Sequence, residues 1–260
     1  MRRAHLPNRS GKIHTRRSYE KAQGNDVLAC SRGADSCRHR GQVGARTGLQ
    51  RRVDWECGYR RVGHGAELEH GPRARPTSNV CILKAPSTGS VDATTTPSIS
   101  VDSIQVGPGV GLAFGAGTVS IATSLTSQGY LTLFGTTLSA TSVNMESGSL
   151  VGGGTIEGSL TNSGYLHPTN AETLTVTGNY TQTANGELSV QWGTTGLAVN
   201  STAALSGSLV VGINPKRPPK KGSTYTAMTF GSLSGEFKTV TVEEGGTVEY
   251  TGNSVVVTFQ

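Results

Sequence analysis

The sequence is poor in hydrophobic residues, which make up 34% of its 260 residues, whereas ordinary globular domains have about 45 to 50%. A thick hydrophobic core is therefore excluded. No run of 18 apolar residues occurs, so no transmembrane helix is expected. The basic start is not followed by the apolar stretch that a secretory signal needs, so no export signal is predicted in this chain.

Cysteine is confined to the first third of the chain. Its four copies are Cys30, Cys37, Cys57 and Cys81, and none occurs from residue 86 onward. A disulfide-stapled domain is thereby excluded for the body of the chain. The cysteine spacings of 7, 20 and 24 residues include no Cys-x-x-Cys pair, which zinc modules usually contain. Neither a metal site nor a cofactor is predicted.

Charge divides the chain at about residue 85. Residues 1–85 hold 15 Arg and 3 Lys against 7 acidic residues, whereas residues 86–260 hold 5 basic and 10 acidic residues. The first segment shows neither a helical nor a strand period, and we predict that it is disordered. Two alternatives stay open: a nucleic-acid-binding arm with salt-sensitive affinity, or a GC-rich stretch read from a wrong start or frame. Residues 86–100, rich in Ser, Thr and Pro, are predicted to be a linker.

A Gly-X-Leu motif recurs through the body with a mean step of about 20 residues. Its leucines are Leu131, Leu150, Leu166, Leu188, Leu209 and Leu233, and a further copy at Leu160 falls outside the series. A period of this length indicates a repeat architecture. We predict that residues 101–230 form a parallel β-solenoid of about six turns, with stacked leucines and with glycines turning corners through positive φ. A β-sandwich stays possible because the steps vary from 16 to 24 residues.

The stretch TVTGNYTQTANGELSV distinguishes these folds. Asn185-Gly186 between alternating runs is the strongest short-range signal for a hairpin. However, Gly186 belongs to the repeat, so we predict a corner at which Leu188 and Val190 gain parallel neighbours about 20 residues away and do not pair back on Val176. Residues 231–260, which include several aromatics, are predicted to form a β cap with a hairpin turn at Gly252-Asn253.

Residues 152–240 carry a family resemblance. They contain GNYTQ followed by GELSV, then LSGSLVV, and finally GEF. This order resembles the C-terminal part of the passenger regions of bacterial autotransporter-type adhesins and related secreted proteins. The resemblance implies a right-handed parallel β-helix that serves as a stem, in a secreted or cell-surface protein.

The acids and the histidine of the body give no catalytic pattern. Glu146, Glu157, Glu172 and Glu187 are 11, 15 and 15 residues apart, out of step with a 20-residue turn, so they should point from different faces. Acid-base cleavage of polysaccharides requires two convergent carboxylates. His167 has no nucleophile or acid nearby in the sequence and is predicted to be a loop histidine. Gly152 to Gly154 are predicted to form a tight corner.

One basic stretch stands out from its acidic surroundings. The sequence NPKRPPKKG places Lys216, Arg217, Lys220 and Lys221 on a proline-stiffened loop that could hold anionic glycan or lipid headgroups, or could be merely solvated.

Taken with the repeat, these observations predict a non-enzymatic, structural or adhesive stem. Its expected partners are glycans or cell surfaces, without specific nucleic-acid binding. The alternatives are a carbohydrate-active β-helix that lacks a recognisable catalytic site, and nucleic-acid binding through the basic arm.

Overall fold

The computed structural model describes residues 28–30, 79–82, 90–94, 98–169, 173–194 and 196–260. Within these ranges the chain is all-β and contains no helix. None of the described residues therefore forms a helix of the length and apolarity needed to cross a membrane.

Twenty strands follow one another along the described chain. They are β1 (Leu28–Cys30), β2 (Asn79–Ile82), β3 (Ser90–Ala93), β4 (Ser98–Val101), β5 (Ser103–Val106), β6 (Gly111–Phe114), β7 (Gly117–Ile121), β8 (Ser124–Ser127), β9 (Tyr130–Met145), β10 (Ser149–Asn162), β11 (Tyr165–Pro168), β12 (Leu174–Val176), β13 (Tyr180–Gln182), β14 (Glu187–Gln191), β15 (Leu197–Leu205), β16 (Ser208–Gly212), β17 (Thr224–Gly235), β18 (Thr239–Val242), β19 (Gly246–Tyr250) and β20 (Ser254–Phe259).

Parallel pairing arranges the strands as a β-solenoid with three faces, each a stack of seven or eight strands or strand parts. Face 1 contains β3, β6, the first parts of β9 and β10, then β11, β14, β16 and β18. Face 2 contains β4, β7, the middle parts of β9 and β10, β12, and the first parts of β15 and β17. Face 3 contains β2, β5, β8, the last parts of β9 and β10, β13, and the last parts of β15 and β17. The predicted fold class is confirmed.

The leucines of the repeat stack inside face 1. Leu131, Leu150, Leu166, Leu188 and Leu209 are successive partners in the parallel register, and all are fully buried. Burial of a leucine side chain contributes about 1.5 to 3 kcal/mol relative to leaving it exposed. Each strand supplies only about two inward positions to the interior of its face. So thin an interior explains how the solenoid folds with so few hydrophobic residues.

Two copies of the motif belong to another face. Leu233 pairs with Ala203 on face 3, so its assignment to the leucine series was wrong; the partner of Leu209 in the next turn is Val240. Leu160 also lies on face 3, between Val143 and Tyr180. Its place outside the series therefore reflects a second inward row and not a degenerate copy of the first.

The Asn185-Gly186 pair is a corner and not a hairpin turn. Leu188 pairs in parallel with Leu166 and Leu209, and Val190 pairs with Val211. The Gly186 amide donates a hydrogen bond to the Thr183 carbonyl over 3.0 Å, which closes a tight turn between face 3 and face 1. The parallel neighbours predicted for this stretch are confirmed.

The glycine of the motif is needed chiefly for close approach between turns. At Gly186, whose φ is not positive, a Cβ would come within 2.4 Å of the Asn162 carbonyl oxygen in the preceding turn. Gly148 combines a φ of 73° with a similar approach to the Gly129 carbonyl oxygen. Positive φ, which the sequence predicted as the reason for these glycines, thus explains only some of them.

Buried amides fill the corner between face 3 and face 1. Gln182 is 2% exposed, and its Nε2 donates to the carbonyl oxygens of Gly186, Ser206 and Ser208 over 2.8 to 3.1 Å. Its Oε1 accepts the hydroxyl of buried Tyr180 at 2.6 Å. The buried amide of Gln182 thereby has hydrogen-bond partners for both its nitrogen and its oxygen, as buried polar groups require.

The C-terminal strands change from parallel to antiparallel pairing. β18 still pairs in parallel with β16, whereas β19 and β20 form an antiparallel hairpin around residues 251–253. β20 also pairs antiparallel with β17 and so joins the hairpin to face 2. Trp192 packs edge-on against Phe259, with ring centroids 4.9 Å apart. The predicted hairpin turn at Gly252-Asn253 is confirmed.

Parallel pairing begins before residue 101, where the solenoid was predicted to start. β2, β3 and β4 pair in parallel with β5, β6 and β7, although residues 86–100 were predicted to be a linker. A Ser- and Thr-rich composition does not separate a linker from a solenoid turn, because the outward positions of later turns are also Ser and Thr. Buried Val91 and Val101 supply the inward positions. Most of the segment 1–85, predicted to be disordered, lies outside the described residues.

Candidate functional site

The four predicted cations lie on the loop between β16 and β17. At its start, the Asn214 side chain accepts the Lys216 amide at 3.0 Å and the Asn214 carbonyl accepts the Arg217 amide at 2.8 Å. At its end, the amide of Gly222 donates to the carbonyl of Phe259 over 2.8 Å. Both ends of the loop are therefore anchored, and the cations project from a backbone of defined shape.

All four side chains, Lys216, Arg217, Lys220 and Lys221, are exposed. Among the residues that the structure describes, no carboxylate forms an ion pair with them. At the base of the loop, the Glu243 carboxylate Oε2 accepts the amide of Ile213 at 2.8 Å. The cations are accordingly available to an anion from solvent, and their binding role stays a prediction.

The loop belongs to a series of insertions at one corner. The connections between face 1 and face 2 are residues 94–97, 115–116, 169–173, 192–196 and 213–223, whereas β9 and β10 run through this corner without a break. The basic loop is the longest of these connections. In repeat proteins, insertions collected on one side often form the binding surface.

The described acids of the solenoid do not converge. Glu157 lies on face 2 opposite Ser139, and Glu187 lies on face 1 opposite Tyr165 and Ser208. Glu146 lies at the corner after face 3, where its carboxylate accepts the amide of Gln128 at 2.8 Å. The prediction that these acids point in different directions is confirmed for the three that are described, and Glu172 lies outside the described residues.

His167 lies in strand β11 and not in a loop as predicted. Its Nδ1 is 2.9 Å from the Ser189 carbonyl oxygen in the next turn. Because a carbonyl only accepts, Nδ1 carries the proton and Nε2 is left as an acceptor in the neutral ring. The ring stacks on Tyr165 with centroids 5.8 Å apart. Because side chains alternate along a strand, His167 points outward like Tyr165, two residues before it. The sequence analysis missed this pairing of the two rings.

A groove of about 630 Å³ lies between β18 and the terminal hairpin. Its apolar walls are Phe237, Val240, Val242, Val248 and Tyr250. The Tyr250 hydroxyl oxygen accepts the amide of Phe237 at 3.0 Å. Burial raises the pKa of the Tyr250 phenol and neighbouring Glu236 raises it further, while this hydrogen bond lowers it. The sequence indicated aromatics here but not the groove, because only the hairpin pairing brings β19 next to β18.

Metal ligands are not grouped in the described part of the chain: no three His, Cys, Asp or Glu side chains there lie close enough to hold an ion.

Gly152 to Gly154 form the predicted corner between face 1 and face 2, inside strand β10. A Cβ at Gly152 would come within 2.0 Å of the Leu133 carbonyl oxygen. That contact rules out a side chain at this corner.

The chain matches no family model, no curated protein and no solved structure. Its resemblance to autotransporter-type passengers therefore stays a prediction drawn from its own motifs.

Proposed function

We propose that this chain is the non-enzymatic, adhesive stem of a secreted or surface-exposed bacterial protein. The observation that carries the proposal is the continuous hydrogen bonding between turns. The amides of Ser149, Tyr165, Glu187 and Ser208 donate to carbonyls one turn earlier, over 2.8 to 3.0 Å. Because every turn is joined to its neighbours in this way, the solenoid suits a load-bearing spacer.

The outward side chains support the same role. On face 2, Thr118, Thr137, Thr155 and Thr175 are stacked in register through four turns. Short hydroxyl side chains keep such a surface hydrated without adding charge. The separation of the described acids supports a stem over the alternative, a carbohydrate-active β-helix, because cleavage of glycosidic bonds needs two carboxyl groups on one side of the substrate.

Single-molecule stretching of the full chain from tags at its two ends tests the mechanical part of the proposal. Independent turns should open in steps of about 20 residues or small multiples, each releasing on the order of 70 Å of extended chain. One unfolding event at negligible force would contradict a load-bearing stem.

The adhesive part and the enzymatic alternative need separate assays. Beads coated with neutral or anionic polysaccharides should retain the full chain, and failure on every coating would refute adhesion to glycans. Incubation with pectin-like substrates should release no unsaturated products. Their appearance would favour the carbohydrate-active alternative.

A further inference from the structure

Exposed aromatic side chains are collected on a single face of the solenoid. The large hydrophobic side chains that are exposed in the described residues are Tyr130 (55%), Phe134 (57%), Tyr165 (36%) and Val240 (37%). All four belong to strands of face 1. Val240 lines the groove at the C-terminal end, whereas the other three lie on β9 and β11, which are separated by β10, near the middle of the solenoid.

Parallel register aligns two of these rings along the solenoid axis. Tyr130 pairs with Ser149 and Ser149 pairs with Tyr165, so the two tyrosines stand in one outward column with a small serine between them. Two strand spacings separate the tyrosines by about 9.5 Å. Phe134 extends this surface along β9, opposite Gly153, and His167 extends it along β11. We call Tyr130, Phe134, Tyr165 and His167 the aromatic platform.

Most of the residues around the platform are uncharged. In β6, β11 and the face 1 parts of β9 and β10, the other outward residues are Gly, Ser, Ala, Thr and Val. The first carboxylate in the tyrosine column is that of Glu187, the direct neighbour of Tyr165 in the next turn. Between Tyr130 and Tyr165 the column holds only Ser149, so a charged ligand that spans the two tyrosines would meet no charged partner there. A neutral ligand with flat apolar faces and hydroxyl groups fits this surface.

Hydrogen-bonding groups accompany the rings. Nε2 of His167 is left as an acceptor because Nδ1 donates to the Ser189 carbonyl, and that bond also fixes the ring beside Tyr165. The two planes differ by 21°. Exposed aromatic faces combined with a few fixed polar groups are typical of binding surfaces and are uncommon on a surface that meets only water.

We propose that the platform binds a neutral, extended β-linked glycan chain that lies along the solenoid axis. Tyr130 and Tyr165 each stack on one sugar ring of the glycan. One further sugar ring lies between these two, and the small side chain of Ser149 leaves room for it. Nε2 of His167 accepts a hydrogen bond from a sugar hydroxyl. This inference rests on the proposed adhesive role and names the ligand class and the site for it.

The test measures binding of cellohexaose to the full chain by isothermal titration calorimetry. Tyr130→Ala and Tyr165→Ala should each weaken binding at least tenfold, and the double variant should show none. Thr137→Ala with Thr155→Ala, on face 2, is the matched control and should bind as the wild type does. Unchanged urea midpoints check that the outward substitutions leave the fold intact. Polygalacturonate, which has charged rings, should bind independently of the platform.

Each adverse result has a distinct meaning. If beads coated with a neutral β-linked polysaccharide retain the double variant as well as the wild type, the platform inference fails and the adhesive role survives. If no coating retains the wild type, the adhesive role itself fails. If sedimentation shows a wild-type dimer that the double variant converts to a monomer, the platform is a self-association surface and the glycan inference is overturned.

Discussion

The backbone of Gly186 lies against the carbonyl oxygen of Asn162 in the preceding turn, so closely that a Cβ at residue 186 would come within 2.4 Å of that oxygen. Gly186→Ala must therefore push two turns apart, and it should lower the free energy of unfolding by about 1 to 3 kcal/mol. Gly252 has no positive φ, and the space that a Cβ would occupy there is open. Gly252→Ala is the matched control. Equal urea midpoints for the two variants would contradict the close approach.

A second prediction separates the two kinds of Gly-X-Leu copy. Leu188 is fully buried between Leu166 and Leu209, whereas Leu233 is only partly buried on face 3. Leu188→Ala should lower the free energy of unfolding by about 2 to 5 kcal/mol. Leu233→Ala should cost clearly less. Urea denaturation of both variants measures the difference, and a reversed order would contradict the assignment of the stacked row.

The difference between these leucines also shows how far the sequence predicts the fold. A recurring inward leucine predicts parallel stacking, because each turn must supply the same apolar position. The same argument failed at Leu233, because the loop of residues 213–223 lengthens the step from Leu209 to its true partner Val240 to 31 residues. A fixed sequence period predicts which residues stack when the turns are equal in length. It predicts the wrong partner after an insertion, because the insertion shifts the numbering of the next turn.

Of the two candidate surfaces, the sequence predicted the basic loop but not the aromatic platform. The cations are close together in the sequence, so composition alone reveals them. Tyr130 and Tyr165 are 35 residues apart, and they meet only through the register. A usable signal did exist, since both occupy the X position of Gly-X-Leu. That position becomes an outward column once the leucines are known to stack.

A third prediction concerns alkaline pH. Burial raises the pKa of the Tyr180 phenol well above its usual range, and the Asn162 side chain lowers it only partly. The folded state therefore retains a proton that the unfolded chain loses above about pH 10. The contribution of Tyr180 to stability should be constant below that pH and should fall as the pH rises above it.

Urea midpoints at pH 8.5, 10 and 11 measure this dependence. Tyr180→Phe should lessen the slope by up to about 1.4 kcal/mol per pH unit. Part of the slope should remain, because burial also raises the pKa of Tyr225. Tyr130→Phe, at an exposed position, serves as the control. An unchanged slope in Tyr180→Phe would contradict retention of the proton.

A fourth prediction concerns the basic loop. Its readout is at individual lysines, so that heparin binding to the Arg-rich segment 1–85 is not mistaken for binding to the loop. If the loop binds anionic glycans, heparin should protect Lys216, Lys220 and Lys221 from acetylation, as read residue by residue by mass spectrometry. Lys238 is also exposed but lies outside the loop, and it should stay reactive. The protection should weaken as salt rises, because screening shortens the range of the attraction. Equal protection of all four lysines would refute a site on the loop.

The stacking of parallel turns is tested most directly at the corner that resembles a hairpin. In the structure the Glu187 amide donates to the Gly164 carbonyl, 23 residues earlier, over 2.8 Å. A hairpin at Asn185-Gly186 would instead pair that amide with the Ala184 carbonyl. Long-range HNCO spectroscopy of the labelled chain detects the coupling across this hydrogen bond. We predict a coupling from Glu187 nitrogen to the Gly164 carbonyl carbon; a coupling to Ala184 would contradict the solenoid.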